Sequence, residues 1–142
     1  MYLLDTNVIS ELRKGLKAHP GVVAFFTAPD MGPIYLPVQV IGEIRSGIAR
    51  LRERGDSRQG QMLENWLFAV LQEYGERVLV FDADCAQVWG ALMAGSDQNP
   101  VDKQIAAIAL INDLIVVTRN GKHFAGTGVQ VLDPFAHGVG QG

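Results

Sequence analysis

Cysteine is almost absent from this chain: of 142 residues only Cys85 is one, so no internal disulfide can staple the fold. A reducing, cytoplasmic setting is the expectation. Cys85 itself reads as a small core or helix-surface residue rather than a nucleophile. Long apolar runs are missing too. None approaches the roughly 20 residues of a membrane helix, so no membrane partner is expected. No basic-then-apolar leader precedes Asp5, because the first strand begins almost at Met1. There is no phosphate-cradling loop of the G-x-x-x-x-G-K-[ST] kind. His19, His123 and His137 lack Cys or His neighbours at zinc spacing, and surface positions are expected for all three. Strong positive charge is also lacking. A net charge of -3 argues against avid, indiscriminate binding of nucleic acid. The local exception is Arg45, Arg50, Arg52, Arg54 and Arg58 against Glu53 and Asp56. A solvated helix face accounts for most of these arginines, and a phosphate-tracking edge is the minority reading.

What is present is enough for one core. The chain is 48% hydrophobic and 19% charged, which excludes a disordered chain. Apolar or β-branched runs at Tyr2–Leu4, Ile34–Leu36, Val78–Phe81, Leu114–Thr118 and Val129–Leu132 read as strands. Helical patterns lie between them. A helix is expected over Asn7–Lys14. Val38, Ile41, Ile44, Ile48 and Leu51 form one apolar stripe at spacings of three and four. Further helices are expected over Gln61–Tyr74, over Asp84–Met93 with Asp82 or Asp84 as cap, and over Pro100–Ile111. Asn99 suits the N-cap of the last and Pro100 its first position. Strands alternating with helices imply an α/β fold, a parallel sheet covered on both faces. The domain should occupy residues 1–135, followed by a flexible Gly-rich tail over 136–142.

Three carboxylates stand out. Asp5 ends the first strand, Glu43 lies off the apolar stripe of its helix, and Asp102 falls in the first turn of another. Taken singly, each has a bland reading: a cap, a solvated helical acid, a complement to a helix dipole. Ligand sites in parallel sheets form beyond the carboxyl ends of strands, where strand order reverses. Asp5 and Thr118-Arg119-Asn120 each follow a strand and would face one another there. Ala106 and Ala109, small residues on the Asp102 face, would let that helix come close. Collected without basic partners, the three acids would repel unless a divalent cation sat between them. A Mg²⁺ or Mn²⁺ site, used for phosphoryl transfer, is the first functional hypothesis. Thr6 and Asn7 read as turn residues holding Asp5, with Asn7 also able to reach a water on the metal. Asn120 fits a plain turn before Gly121 and a water-positioning role equally well.

These segments carry a resemblance. Leu4-Asp5-Thr6-Asn7-Val8-Ile9-Ser10-Glu11, Glu43 within Val40–Gly47, Asp102 followed by Ile105-Ala106-Ala107, and Val117-Thr118-Arg119-Asn120 ending at Phe124 resemble PIN-domain proteins of the VapC/FitB toxin type. The resemblance runs from Met1 to about Phe135. It implies a PIN-like three-layer α/β/α fold with a central parallel sheet of four to five strands. It implies a Mg²⁺- or Mn²⁺-dependent ribonuclease, the toxin of a type II toxin–antitoxin module. It also implies a homodimer and a VapB-like antitoxin, with operator DNA reached only through that antitoxin. Asp5, Glu43 and Asp102 match the family's three principal acids. Asn120 falls where many relatives carry a fourth, and a neutral amide there would weaken a second metal site. On this reading Asp5 and Asp102 are the main metal ligands, and Glu43 binds through water or orients the attacking water. Asn120 and Thr118 position water or substrate. The rival readings are a catalytically weak module that assembles with a DNA-binding partner, and a structure-selective DNA nuclease. An antitoxin is expected to lie along the Val38–Arg54 helix with a basic side chain directed at the acids.

Overall fold

The computed structural model describes residues 1–29 and 31–136. Five strands and six helices follow one another along it. They are β1 (Tyr2–Leu4), α1 (Thr6–Leu12), α2 (Pro20–Thr27), β2 (Ile34–Pro37), α3 (Val38–Glu53), α4 (Ser57–Tyr74), β3 (Val78–Leu79), α5 (Ala83–Gly95), α6 (Pro100–Asn112), β4 (Ile115–Val117) and β5 (Val131–Leu132). The strands form one parallel sheet in the order β3-β2-β1-β4-β5. The chain builds outward from β1 through β2 to β3, then returns to the other side of β1 with β4 and β5. The reversal therefore falls between β1 and β4, where Tyr2, Leu3 and Leu4 pair with Ile115, Val116 and Val117.

Alternation along the central strands divides the core into two. Leu4, Leu36 and Val117 face one side and meet Val8 and Ile9 of α1, Val22 of α2, Val40, Ile44 and Ile48 of α3, and Leu67 and Val70 of α4. Leu3 and Val116 face the other and meet Cys85 of α5 and the Ile105–Ala109 stretch of α6. Leu3, Leu4, Val116 and Val117 are all fully buried, which stabilises the fold by about 1.5–3 kcal/mol for each such side chain. The three-layer α/β/α arrangement is the one expected.

Several local expectations need correction. The helix Pro20–Thr27 is not legible from period, because Val22, Val23, Phe25 and Phe26 crowd consecutive positions. Its start is nonetheless a signal: Pro20 opens the first turn and the His19 side chain accepts from the Gly21 amide. The His19 ring also packs at a tilt against Phe135 (centroids 5.2 Å apart, 60° between planes), so His19 is a capping residue rather than an idle surface one. Asn99 makes no side-chain cap; it adopts a left-handed conformation, and its carbonyl accepts from the Lys103 amide. Asp82, by contrast, caps α5 by accepting from the Cys85 amide. β3 stops at Leu79, short of Phe81. Val129 and Gln130 precede the fifth strand, which holds only Val131 and Leu132. His137 and the rest of the expected tail, apart from Ala136, lie outside the described residues. Among those residues no helix is long and apolar enough to cross a membrane.

Candidate functional site

Asp5 is the first residue beyond β1, and its amide donates to the Val117 carbonyl at the end of β4 (3.0 Å). That single bond places a carboxylate at the point where strand order reverses. The side chain is nearly enclosed at 5% exposure. Its Oδ1 accepts from the Thr6 amide (2.8 Å), capping α1, and its Oδ2 accepts from the Thr118 hydroxyl (2.8 Å). The capping reading of Asp5 is therefore correct, and the cap leaves its carboxylate at the edge where strand order reverses.

Thr118 is fully buried and holds this corner together. Its hydroxyl donates to Asp5 and accepts from the Asn120 amide (3.0 Å) and from the Asn7 side chain (3.3 Å), which uses all its capacity. Asn7 bridges the two strand ends a second time. Its Nδ2 also reaches Asp5 Oδ2 (3.4 Å), and its Oδ1 accepts from the Arg119 amide (3.0 Å). Thr6 links the next element: its hydroxyl donates to Glu43 Oε1 on α3 (2.9 Å). Thr6, Asn7 and Thr118 are thus supports, set by hydrogen bonds around the acids. Asn120 starts the short 3-10 turn Gly121–Phe124 without a side-chain cap, so its amide head is not committed to the turn.

Asp102 arrives on the first turn of α6. Ala106 and Ala109 behind it are buried, as close approach requires. Gln39 on α3 donates to Gln104 on α6 (3.2 Å), tying the two helices that carry Glu43 and Asp102. Neighbouring Lys103 does not pair with Asp102; its ammonium donates to the Gln98 carbonyl and steadies the loop before α6. The partner of Asp102 is His123, whose Nδ1 lies 3.1 Å from Oδ2. His123 was expected at an uninvolved surface position. No motif spacing exposes it, because it reaches Asp102 from the turn after β4.

Burial and neighbouring charge both act on two of these acids. Burial, then the charges of Asp5 and Asp102, push the Glu43 carboxyl upward, against the pull of the Thr6 hydroxyl. Glu43 still meets solvent, which screens part of this repulsion. Burial and then Asp5 push Asp102 upward as well, offset in part by His123 and Lys103. No lysine or arginine forms an ion pair with any of the three among the described residues. Nor does any group of three or more His, Cys, Asp or Glu side chains there sit close enough to hold a metal ion unaided. The donors nevertheless suit a hard dication. They are carboxylate oxygens with no lysine or arginine paired to them, and Mg²⁺ keeps several waters, so ligation through water does not need tight convergence.

Asp5 thus lies beyond the strand ends at the reversal point of a small parallel sheet, where α/β proteins of this topology bind their ligands. Residues 2–129 match the family model described as PIN domain, and the chain belongs to that family. It is 36% identical to the plasmid stability protein StbB of Pseudomonas syringae pv. tomato, over 95% of this chain and 99% of that one. It is 33% identical to the VapC ribonuclease Y4jK of Sinorhizobium fredii (95% and 98%), and 30% identical to Toxin FitB of Neisseria gonorrhoeae (95% and 99%). Among solved structures it resembles FitAcB from Neisseria gonorrhoeae, with TM-score 0.82 at 30% identity, covering 95% of this chain and 99% of that one. It also resembles FitAB bound to the IR36 DNA fragment, with TM-score 0.81 at 28% identity over 95% and 96%.

Proposed function

We propose that this protein is the toxin of a VapC/FitB-type toxin–antitoxin pair and a Mg²⁺- or Mn²⁺-dependent endoribonuclease. The observation that carries the reading is that Asp5 and Asp102 act on Glu43, and Asp5 on Asp102, as like charges, with no lysine or arginine paired to the three among the described residues. The similarity to a VapC ribonuclease and to Toxin FitB over nearly the whole chain supports the substrate and the role.

Asp5 and Asp102 would hold the cation, Asp5 already fixed by Thr6 and Thr118. When bound, the cation supplies Lewis acidity toward the phosphate and makes water a better nucleophile. Glu43, steered by the Thr6 hydroxyl, would bind the cation through water or orient the attacking water and take its proton. Asn120 positions water or substrate with its uncommitted amide. Attack by water in line with the P–O3′ bond breaks that bond and yields a 5′-phosphate and a 3′-hydroxyl. Without the cation the carboxylates repel RNA, so cleavage is metal-gated.

The partner would be a VapB-like antitoxin, with operator DNA reached through it, on a homodimeric toxin in the cytoplasm. Its basic side chain would enter the acidic crevice beside α3. An apolar recess of about 510 Å³ between α1, α2 and α4, lined by Ile9, Phe26, Trp66 and Tyr74, offers a separate seat for its apolar segment. Salt should loosen the charged contact more than the apolar one.

The test is cleavage of cellular RNA with Mg²⁺, Mn²⁺ or EDTA, with end mapping of the products and single-stranded DNA as comparison. Expression without the antitoxin should arrest growth, and Asp5→Asn should relieve the arrest. Cleavage that persists in EDTA overturns the metal site. A wild type that is harmless and cleaves nothing overturns the enzyme and leaves an assembly module. Preferential cleavage of DNA makes it a DNA nuclease.

A further inference from the structure

His123 is in direct contact with Asp102, and no part of the proposed mechanism uses it. Its Nδ1 lies 3.1 Å from Asp102 Oδ2, and the two side chains are 35% and 21% exposed. An ionised carboxylate can only accept, so Nδ1 must carry the proton in this contact. Asp102 Oδ1 has no hydrogen-bond partner among the described residues.

The histidine is held in place from below. Its amide donates to the Asn120 carbonyl (2.9 Å), within the turn that follows β4. The next residue, Phe124, is buried in the core under α6. The Phe124 carbonyl accepts in turn from the Thr127 hydroxyl (2.6 Å). The turn cannot drift without uncovering Phe124, so the imidazole meets Asp102 from a fixed direction.

From this geometry we propose that His123 is the positioning residue of Asp102: Nδ1–H fixes Oδ2, leaving Oδ1 to the divalent cation. The proposal rests on the metal-site reading above. A carboxylate in the first turn of a helix otherwise has rotamer freedom, and a ligand that must first be ordered binds metal less tightly. Removing such a support from a metal ligand lowers affinity by about 10–100-fold.

The donor atom can be imitated. An asparagine at this position places an amide N–H where Nδ1 stands, whereas glutamine places it where Nε2 stands. Mn²⁺ binding to the full chain, followed by electron paramagnetic resonance and by calorimetry, is the measurement. His123→Ala should weaken Mn²⁺ by about 10–100-fold, His123→Asn should restore it to within about threefold, and His123→Gln should not. Equal affinity in wild type and His123→Ala overturns the proposal, and a lower melting temperature alone then marks a merely structural contact. If His123→Ala does not fold, the Asn and Gln variants decide: equal affinities for the two overturn it. Absence of Mn²⁺ binding by wild type would instead overturn the metal site itself, a result separate from any effect of His123.

Discussion

Glu43 and Glu64 stand on the two arms of the α3–α4 hairpin, and the chain surrounds them in opposite ways. Glu64 is gripped by Arg45 (2.8 and 2.6 Å) and by Arg52 (2.9 Å). Those bonds, Arg45 first, draw its carboxyl down to about 2. Glu43 receives one neutral hydroxyl, which lowers its pKa, while burial first and then the charges of Asp5 and Asp102 raise it. Arg45 lies only two residues from Glu43 but serves Glu64, since residues two apart on a helix do not share a face. Cations are thus available on this helix and are turned away from the crevice. Repulsion retained at one edge points to a ligand that relieves it.

The strongest way to break this comparison is to remove one acid from each pattern. Asp5→Asn and Asp102→Asn should each lower RNA cleavage by about 10³-fold or more, with an unchanged circular dichroism spectrum. Glu64→Gln should leave cleavage within about twofold, because a surface substitution away from the site changes little. Equal losses for all three would mean that the crevice is not the reacting centre.

The second largest effect concerns binding rather than rate. Mn²⁺ at about 100 times its dissociation constant should stabilise wild type by about 2.7 kcal/mol, a rise of about 5–10 °C at this chain length. Folded Asp5→Asn should show little of that rise, and Glu64→Gln all of it. A thermal melt with and without Mn²⁺ checks this. A full rise in Asp5→Asn would place the cation elsewhere.

This contrast was half legible in the sequence. Asp5, Glu43 and Asp102 could be singled out because Asp5 follows a strand, Asp102 falls in the first turn of a helix and Glu43 lies off an apolar stripe, and parallel-sheet logic puts strand ends together. The pairing of Tyr2–Leu4 with Ile115–Val117 then delivers Asp5 to Thr118. What could not be read was anything set by side chains meeting across more than one element. The Arg45–Glu64–Arg52 clasp depends on how α3 crosses α4, and the arginine run alone looks like a solvated face. His123 meets Asp102 only because Phe124 is pinned in the core, a long-range fact without a local motif. Helix α2 was missed for a different reason. Its apolar residues are too crowded to show a period, although Pro20 and the His19 cap were there to be used.

A third prediction uses pH to separate the two acids. A carboxyl with a raised folded pKa holds its proton more readily folded than unfolded. Stability from Glu43 and Asp102 in the metal-free protein is therefore greatest below their ordinary values of 4.5 and 3.8. It is lost as pH rises through the raised values. Glu64 runs the other way: its contribution is present above 4.5 and lost as pH falls towards about 2. Metal-free Glu43→Gln should thus melt above wild type at neutral pH, by an amount that solvent screening at this exposed residue keeps small, and the gain should shrink as pH falls below 4.5. A gain independent of pH, or none at neutral pH, would show that the repulsion is fully screened by solvent.

The smallest effect sharpens the comparison most. Glu64→Gln removes a charge but keeps an oxygen that Arg45 and Arg52 can still bond. The two arginine side chains are 50% and 42% exposed, so water screens the pair and long side chains lose entropy to form it. The melting temperature should fall by no more than about 1–2 °C, the fall should shrink in high salt, and Mn²⁺ affinity should not move. A structural ion pair is expected to behave in this way. If Mn²⁺ affinity instead weakened, a freed Arg45 would have swung towards Glu43 and entered the crevice as a competing cation. Arg45→Ala in the Glu64→Gln background would then restore the affinity, and Glu64 would be the residue that keeps its own helix's arginines out of the site.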